Sequence, residues 1–164
     1  MSPRAATFTH RNLPLLLQAR ESVITRFRPI LNAHGITEQQ WRIVRALLER
    51  APLEPRETVA VCRISSPSLA GVLARMHETG VVARERLDRD QRRVKVWLTP
   101  KSRALAARMA PQVEAAYAEI EAHIGPEFTQ RFYAVLDELI ETLDGAESSH
   151  ERMQERHRTR RNMR

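Results

Sequence analysis

Apolar residues recur along this chain in two rhythms, and the switch between them marks its most informative stretch. Leu69, Val72, Leu73 and Met76 fall at i, i+3, i+4 and i+7, the spacing of one buried helix face. Ser65 or Ser66 can accept from the free N–H groups of that helix's first turn, and Pro67 suits its first position. Gly80 ends the helix as a left-handed cap. Ser66, Ser68, Gly71, Ala74 and Arg75 are left on the other side, which is small and polar with one cation. Beyond Gly80 the period falls to two. Val82, Arg84 and Arg86 alternate with smaller residues, Asp88-Arg89-Asp90-Gln91 forms a polar tip, and Val94, Val96 and Leu98 return on one face.

The helical rhythm frames this stretch on both sides. A helix is expected from Asn12 to about Asn32, with Leu13, Leu16, Leu17, Val23, Ile24, Phe27, Ile30 and Leu31 on its stripe. Arg20 stands in the middle of that apolar face, and a desolvated cation there needs a partner. His34-Gly35 breaks the helix, and Thr37 with Gln40 forms a capping box for the next, striped by Trp41, Val44 and Leu48. Ala51-Pro52 stops it, and Pro55 opens a short helix, Arg56 to Cys62. Thr99 caps a helix carrying Leu105, Met109, Val113, Ala116, Ile120 and Ile124, and a last helix after Gly125-Pro126 holds Phe128, Phe132, Val135, Leu139 and Leu143. These helices have more apolar surface than one small domain covers, which implies a second copy with two-fold symmetry.

A helix followed by a hairpin with an arginine-laden tip is the layout of a winged helix-turn-helix. The expected fold is therefore mainly α with a small β-hairpin wing, plus a helical dimerisation region. The helix can lie in a major groove while the hairpin reaches phosphates or the minor groove. The residues placed to do so are Ser65, Ser66, Pro67, Ser68, Gly71 and Arg75 on the helix, and Arg84, Arg86, Arg89, Asp90, Arg92 and Arg93 on the hairpin.

L-x-x-M-x-x-x-G-V-V from Leu73, then Asp90-x-Arg92, then V-x-V-x-L-T from Val94 resembles the signature of the MarR family of bacterial transcriptional regulators. LLQARE at Leu16 to Glu21, FRP at Phe27 to Pro29 and TEQQWRIVRAL at Thr37 to Leu47 resemble its branch of homoprotocatechuate-degradation repressors. The resemblance runs from about Asn12 to Leu143. It departs at His77, where the family usually has an acid, and at Ser102, where a glycine usually follows L-T. The resemblance implies a dimeric repressor of an aromatic-acid catabolic operon on a pseudo-palindromic operator. It further implies that Asp90 holds Arg92 as the wing enters the minor groove. An aromatic carboxylate, hydroxyphenylacetate-like or hydroxynicotinate-like, would release the DNA from a site between winged domain and dimer helices. For that ligand Arg20 supplies a cation, unless it pairs with an acid, Phe27 and Trp41 supply walls, and His10 a hydrogen bond.

Composition narrows the alternatives. The 164 residues suffice for one domain with helical extensions, and 42% are hydrophobic, enough for a core. The formal charge of +7 favours a polyanionic partner. Of 27 basic residues only Lys95 and Lys101 are lysines, and arginine suits forked contacts to phosphate and guanine. A single cysteine, Cys62, excludes an internal disulfide and fits a reducing bacterial cytoplasm. Peroxide sensors of the resembled family carry their reactive cysteine in the first helix, where this chain has none. No apolar run approaches the ~20 residues of a membrane span. Phosphate-cradling glycine loops, metal-ligand groupings and a nucleophile elbow are absent, so neither an enzyme nor a cofactor is expected. The division read from the pattern is an arm at 1–11, dimerisation helices at 12–34 and 100–144, a DNA-binding domain at 35–99 and a basic tail at 145–164. A redox-switched or ligand-independent DNA binder is the alternative function.

Overall fold

The computed structural model describes residues 12–87 and 90–162, and side chains within 12–86 and 94–145. Six helices and one hairpin follow in order: α1 (Asn12–Ala33), α2 (Glu38–Arg50), α3 (Pro55–Cys62), α4 (Ser66–Glu78), β1 (Val82–Leu87), β2 (Asp90–Leu98), α5 (Pro100–Ile124) and α6 (Pro126–Asn162). The described residues form two compact units, divided between Tyr117 and Ala118.

In the first unit the two rhythms meet in one core. The α4 stripe of Leu69, Val72, Leu73 and Met76 is buried as its spacing requires, against Ile43 and Leu47 of α2 and Val82, Val96 and Leu98 of the hairpin. Full burial of such side chains contributes roughly 1.5–3 kcal/mol each before entropy is counted. β1 and β2 run antiparallel in the register Val82↔Leu98, Arg84↔Val96 and Arg86↔Val94. Leu53 adds a third rung through paired backbone bonds with Val96 of 3.1 and 2.9 Å. The short α3 ends at Cys62, and Arg63 turns the chain with φ 49°, the left-handed step between the paired helices.

The helix starts follow the side chains available, with one difference. Thr37 and Gln40 close the expected capping box at 2.9 and 3.2 Å. Ser65 occupies the cap of α4, but its hydroxyl donates to Ser68 Oγ at 3.0 Å and accepts from no first-turn N–H. Its carbonyl opens the helical ladder instead, accepting from Leu69 N at 2.9 Å. Gly35 and Gly80 adopt the positive φ that ends α1 and α4.

The α1 stripe divides into two. Phe27 and Leu31 are buried, whereas Leu13, Leu16 and Leu17 are exposed. In the second unit Phe128, Tyr133, Val135, Ile140 and Leu143 are likewise exposed along α6. Each unit thus leaves part of the apolar surplus read from the sequence exposed among its described residues. The backbone of α6 also passes Gly145 without a break. A helix-interior glycine costs about 1 kcal/mol relative to alanine, and it stops a helix only by turning left-handed, which Gly145 does not. Among the described residues no helix is long and apolar enough to cross a membrane, and no cluster of His, Cys, Asp and Glu could hold a metal.

Candidate nucleic-acid interface

The face of α4 opposite the core is available to a partner. Ser65, Ser66, Pro67, Ser68, Ala70 and Arg75 are exposed and Gly71 is half-buried. A Cβ at Gly71 would meet nothing closer than the Arg75 guanidinium at 3.8 Å, so the backbone here is open to close approach. Beside this face, α3, α4 and the hairpin enclose a groove of ≈ 300 Å³ walled by Val59, Leu69, Leu73 and Val96, with Arg56, Ser66 and Arg84 also lining it. Arg84 further shares a hollow of ≈ 220 Å³ with His77, Glu85 and Arg86. Arg84 and Arg86 are therefore exposed cations next to the outer side of α4. Arg89 lies outside the described residues. So do the side chains of Asp90, Arg92 and Arg93, whose backbone belongs to β2.

The residues expected around a ligand separate into two groups. Arg20 forms an ion pair with Glu38, at the start of α2 in the same chain. Its guanidinium therefore has a carboxylate partner within the chain, the alternative weighed from the sequence. Phe27 is 4% exposed and meets the ring of Tyr117 at 4.7 Å, tilted by 53°. Trp41 is half-buried, packed against both apolar clusters of the unit. His10 lies outside the described residues.

Two residues not singled out from the sequence stand with Phe27. Arg45 Nη1 donates to the Tyr117 hydroxyl at 3.0 Å, while its other terminal nitrogen lies 3.8 Å from Glu49. Arg45 follows Trp41 by one helical turn, so the two share a face of α2. That spacing was visible in the chain. Tyr117, on α5 and 72 positions further on, had no local signal. The result is a solvent-reached cation touching a phenol, with an aromatic ring behind it. A guanidinium supplies forked donors and a ring supplies a flat apolar face, chemistry suited to an anionic aromatic group.

Cys62 is buried and unpaired in α3. Burial raises its thiol pKa above the ordinary value, opposed in part by the nearby Arg42 charge. A thiol held neutral in this way is a poor nucleophile.

Residues 34–93 match the sequence pattern of the MarR family. The homoprotocatechuate degradative operon repressor of Escherichia coli is 42% identical over 125 residues, spanning 76% of this chain and 84% of that protein. The HTH-type transcriptional regulator FarR of Neisseria gonorrhoeae is 39% identical over 133 residues, spanning 81% and 91%. Among solved structures, NadR in complex with 4-hydroxyphenylacetate superposes with a TM-score of 0.68 at 38% identity, covering 84% of this chain and 97% of its own. With these relatives, the chain belongs to the MarR family, as a homodimeric, DNA-binding transcriptional repressor with a winged helix-turn-helix.

Proposed function

We propose that this repressor controls an operon for aromatic-acid breakdown in the bacterial cytoplasm, and that an aromatic carboxylate of the hydroxyphenylacetate type releases it from a pseudo-palindromic operator. The observation that carries the ligand class is the contact of Arg45 with Tyr117, backed by Phe27. The guanidinium offers forked donors to a carboxylate, the Tyr117 hydroxyl offers a further donor, and the Phe27 and Trp41 rings offer flat walls. Arg20 is in direct contact with Glu38, whereas the Arg45 nitrogen nearest Glu49 lies 3.8 Å from it, beyond hydrogen-bond reach, so this reading uses Arg45 and not Arg20. The relatives support the same class: one is named for homoprotocatechuate degradation and another binds 4-hydroxyphenylacetate.

On the DNA side, α4 lies in the major groove with Ser65, Ser66, Pro67, Ser68, Gly71 and Arg75 toward bases and phosphates. The wing follows with Arg84, Arg86, Arg89, Asp90, Arg92 and Arg93. Ligand lowers operator affinity only as far as it binds the DNA-free arrangement more tightly. Calorimetry with 4-hydroxyphenylacetate on wild type and Arg45→Ala, together with operator binding in its presence, tests the reading. Saturable binding that weakens at least tenfold in Arg45→Ala is expected, with operator release in wild type alone. Equal binding by both proteins removes Arg45 from the site, and no binding by wild type removes this ligand class.

A further inference from the structure

The end of α4 and the start of α5 meet at a joint made by two hydroxyl groups. Gly80, at φ 70°, turns the chain from α4 into β1, and this turn aims the carbonyls of Gly80 and Val81 at the cap of α5. Thr99 Oγ1 donates to the Gly80 carbonyl at 2.8 Å, and Ser102 Oγ donates to the Val81 carbonyl at 2.7 Å. Thr99 Oγ1 also accepts from Ser102 N at 3.3 Å, and Thr99 N reaches the Val81 carbonyl at 3.3 Å. Ser102 is only 4% exposed, so its hydroxyl has no ready exchange with water. Ordinary capping of α5 needs Thr99 alone. Ser102 adds a second tie, at a position where the resembled pattern carries glycine.

The same helix reaches the candidate effector site. Tyr117 lies fifteen residues beyond Ser102 on α5, about 22 Å along the axis. Pro111 removes one backbone bond on the way, but Met109 and Val113 on either side of it are buried, so the core holds the helix through that point. α5 thus joins Tyr117, which Arg45 contacts, to the turn where the recognition helix becomes the wing.

We propose that Ser102 is a positioning residue: with Thr99 it latches α5 to the Gly80–Val81 turn, so that a change at Tyr117 moves the recognition helix and wing together. The proposal rests on the effector reading above for its biological use, although its physical claim is coupling through α5. Without the Ser102 hydroxyl the Val81 carbonyl keeps only the longer bond from Thr99 N, and α5 shifts without carrying the turn.

The test is a double-variant cycle on operator affinity, measured by fluorescence anisotropy at one salt concentration with wild type, Ser102→Ala, Tyr117→Phe and the double variant. Tyr117→Phe keeps the ring against Phe27 and removes only the hydroxyl. Effects at sites this far apart ordinarily multiply to within about twofold. The latch predicts a departure of at least fivefold, and a product within twofold overturns it. A role confined to stability lowers the melting temperature of Ser102→Ala yet leaves the cycle multiplicative. Ser102→Cys, close in volume and a far weaker donor, replaces the alanine variant should that one not fold. In a second arm, the weakening of operator binding by saturating 4-hydroxyphenylacetate is expected to shrink at least fivefold in Ser102→Ala, with calorimetric ligand affinity held within twofold. A wild type that binds no 4-hydroxyphenylacetate overturns the effector reading, while the cycle still decides the latch.

Discussion

Arg42 and Cys62 exchange hydrogen bonds through each other's backbone: Arg42 Nη1 donates to the Cys62 carbonyl at 3.1 Å, and Cys62 Sγ donates to the Arg42 carbonyl at 3.6 Å. The exchange ties α2 to the end of α3, where the chain turns toward the recognition helix. The thiol is therefore a structural donor, and its raised pKa makes it a slow nucleophile. Alkylation of native protein by iodoacetamide at neutral pH should be much slower than of urea-unfolded protein, and peroxide should leave operator binding unchanged. Rapid native alkylation accompanied by loss of DNA binding would instead establish the redox switch.

The same shift has a pH consequence with a definite sign. The folded thiol binds its proton more tightly than the unfolded one, so its contribution is fully present below the ordinary thiol value of 9.0 and is lost as pH rises through the raised folded value. Urea unfolding of wild type and Cys62→Ala should give a stability difference that is flat from pH 7 to 8. Above pH 9 it should narrow, as wild type loses the larger share.

At the wing tip, Arg92→Ala should weaken operator binding by about 1–3 kcal/mol and reduce the salt slope by roughly one per subunit. Asp90→Ala should weaken it less, through lost orientation of the arginine. An Arg92→Ala protein with native melting behaviour and an unaltered salt slope would place that side chain off the DNA.

Gly71 has room for a Cβ and a helical, not left-handed, backbone, so Gly71→Glu should fold. Its bulk and negative charge would then face phosphates, and operator binding should fall below detection while the circular dichroism spectrum is retained. Normal binding by this variant would show that α4 does not enter the groove by this face.

Arg20→Ala separates the ion pair from the effector site. Arg20 is half exposed, so breaking its pair with Glu38 should cost no more than about 1 kcal/mol. Dimer mass and the concentration of 4-hydroxyphenylacetate that releases DNA should both be unchanged, in contrast to Arg45→Ala. A dimeric Arg20→Ala protein that binds operator but ignores the ligand would return Arg20 to the site.

What the chain determined by itself was local. The spacing of Leu69, Val72, Leu73 and Met76 specified a buried helix face, because 3.6 residues per turn places those side chains on one side whatever they meet. Thr37 with Gln40, and Gly35 and Gly80, marked helix ends through bonds made within a few residues. The period-two run placed the hairpin, since strand side chains alternate by geometry alone. Tertiary structure decided which cations were already engaged. Arg20 and Arg45 look alike in the sequence, each beside apolar residues on a helix; Arg45 has Glu49 one turn on, 3.8 Å away, but neither residue's own turns show its contact across the fold. Folding brings Glu38 to one and Tyr117 to the other, across 18 and 72 positions. Ser102 is a similar case, a polar residue early in a helix until the Val81 carbonyl arrives from 21 positions away to accept its hydrogen bond. A side chain's own helix fixes the direction it points, but its hydrogen-bond partner is set by whatever the folded chain places there, and single-sequence periodicity carries no record of that.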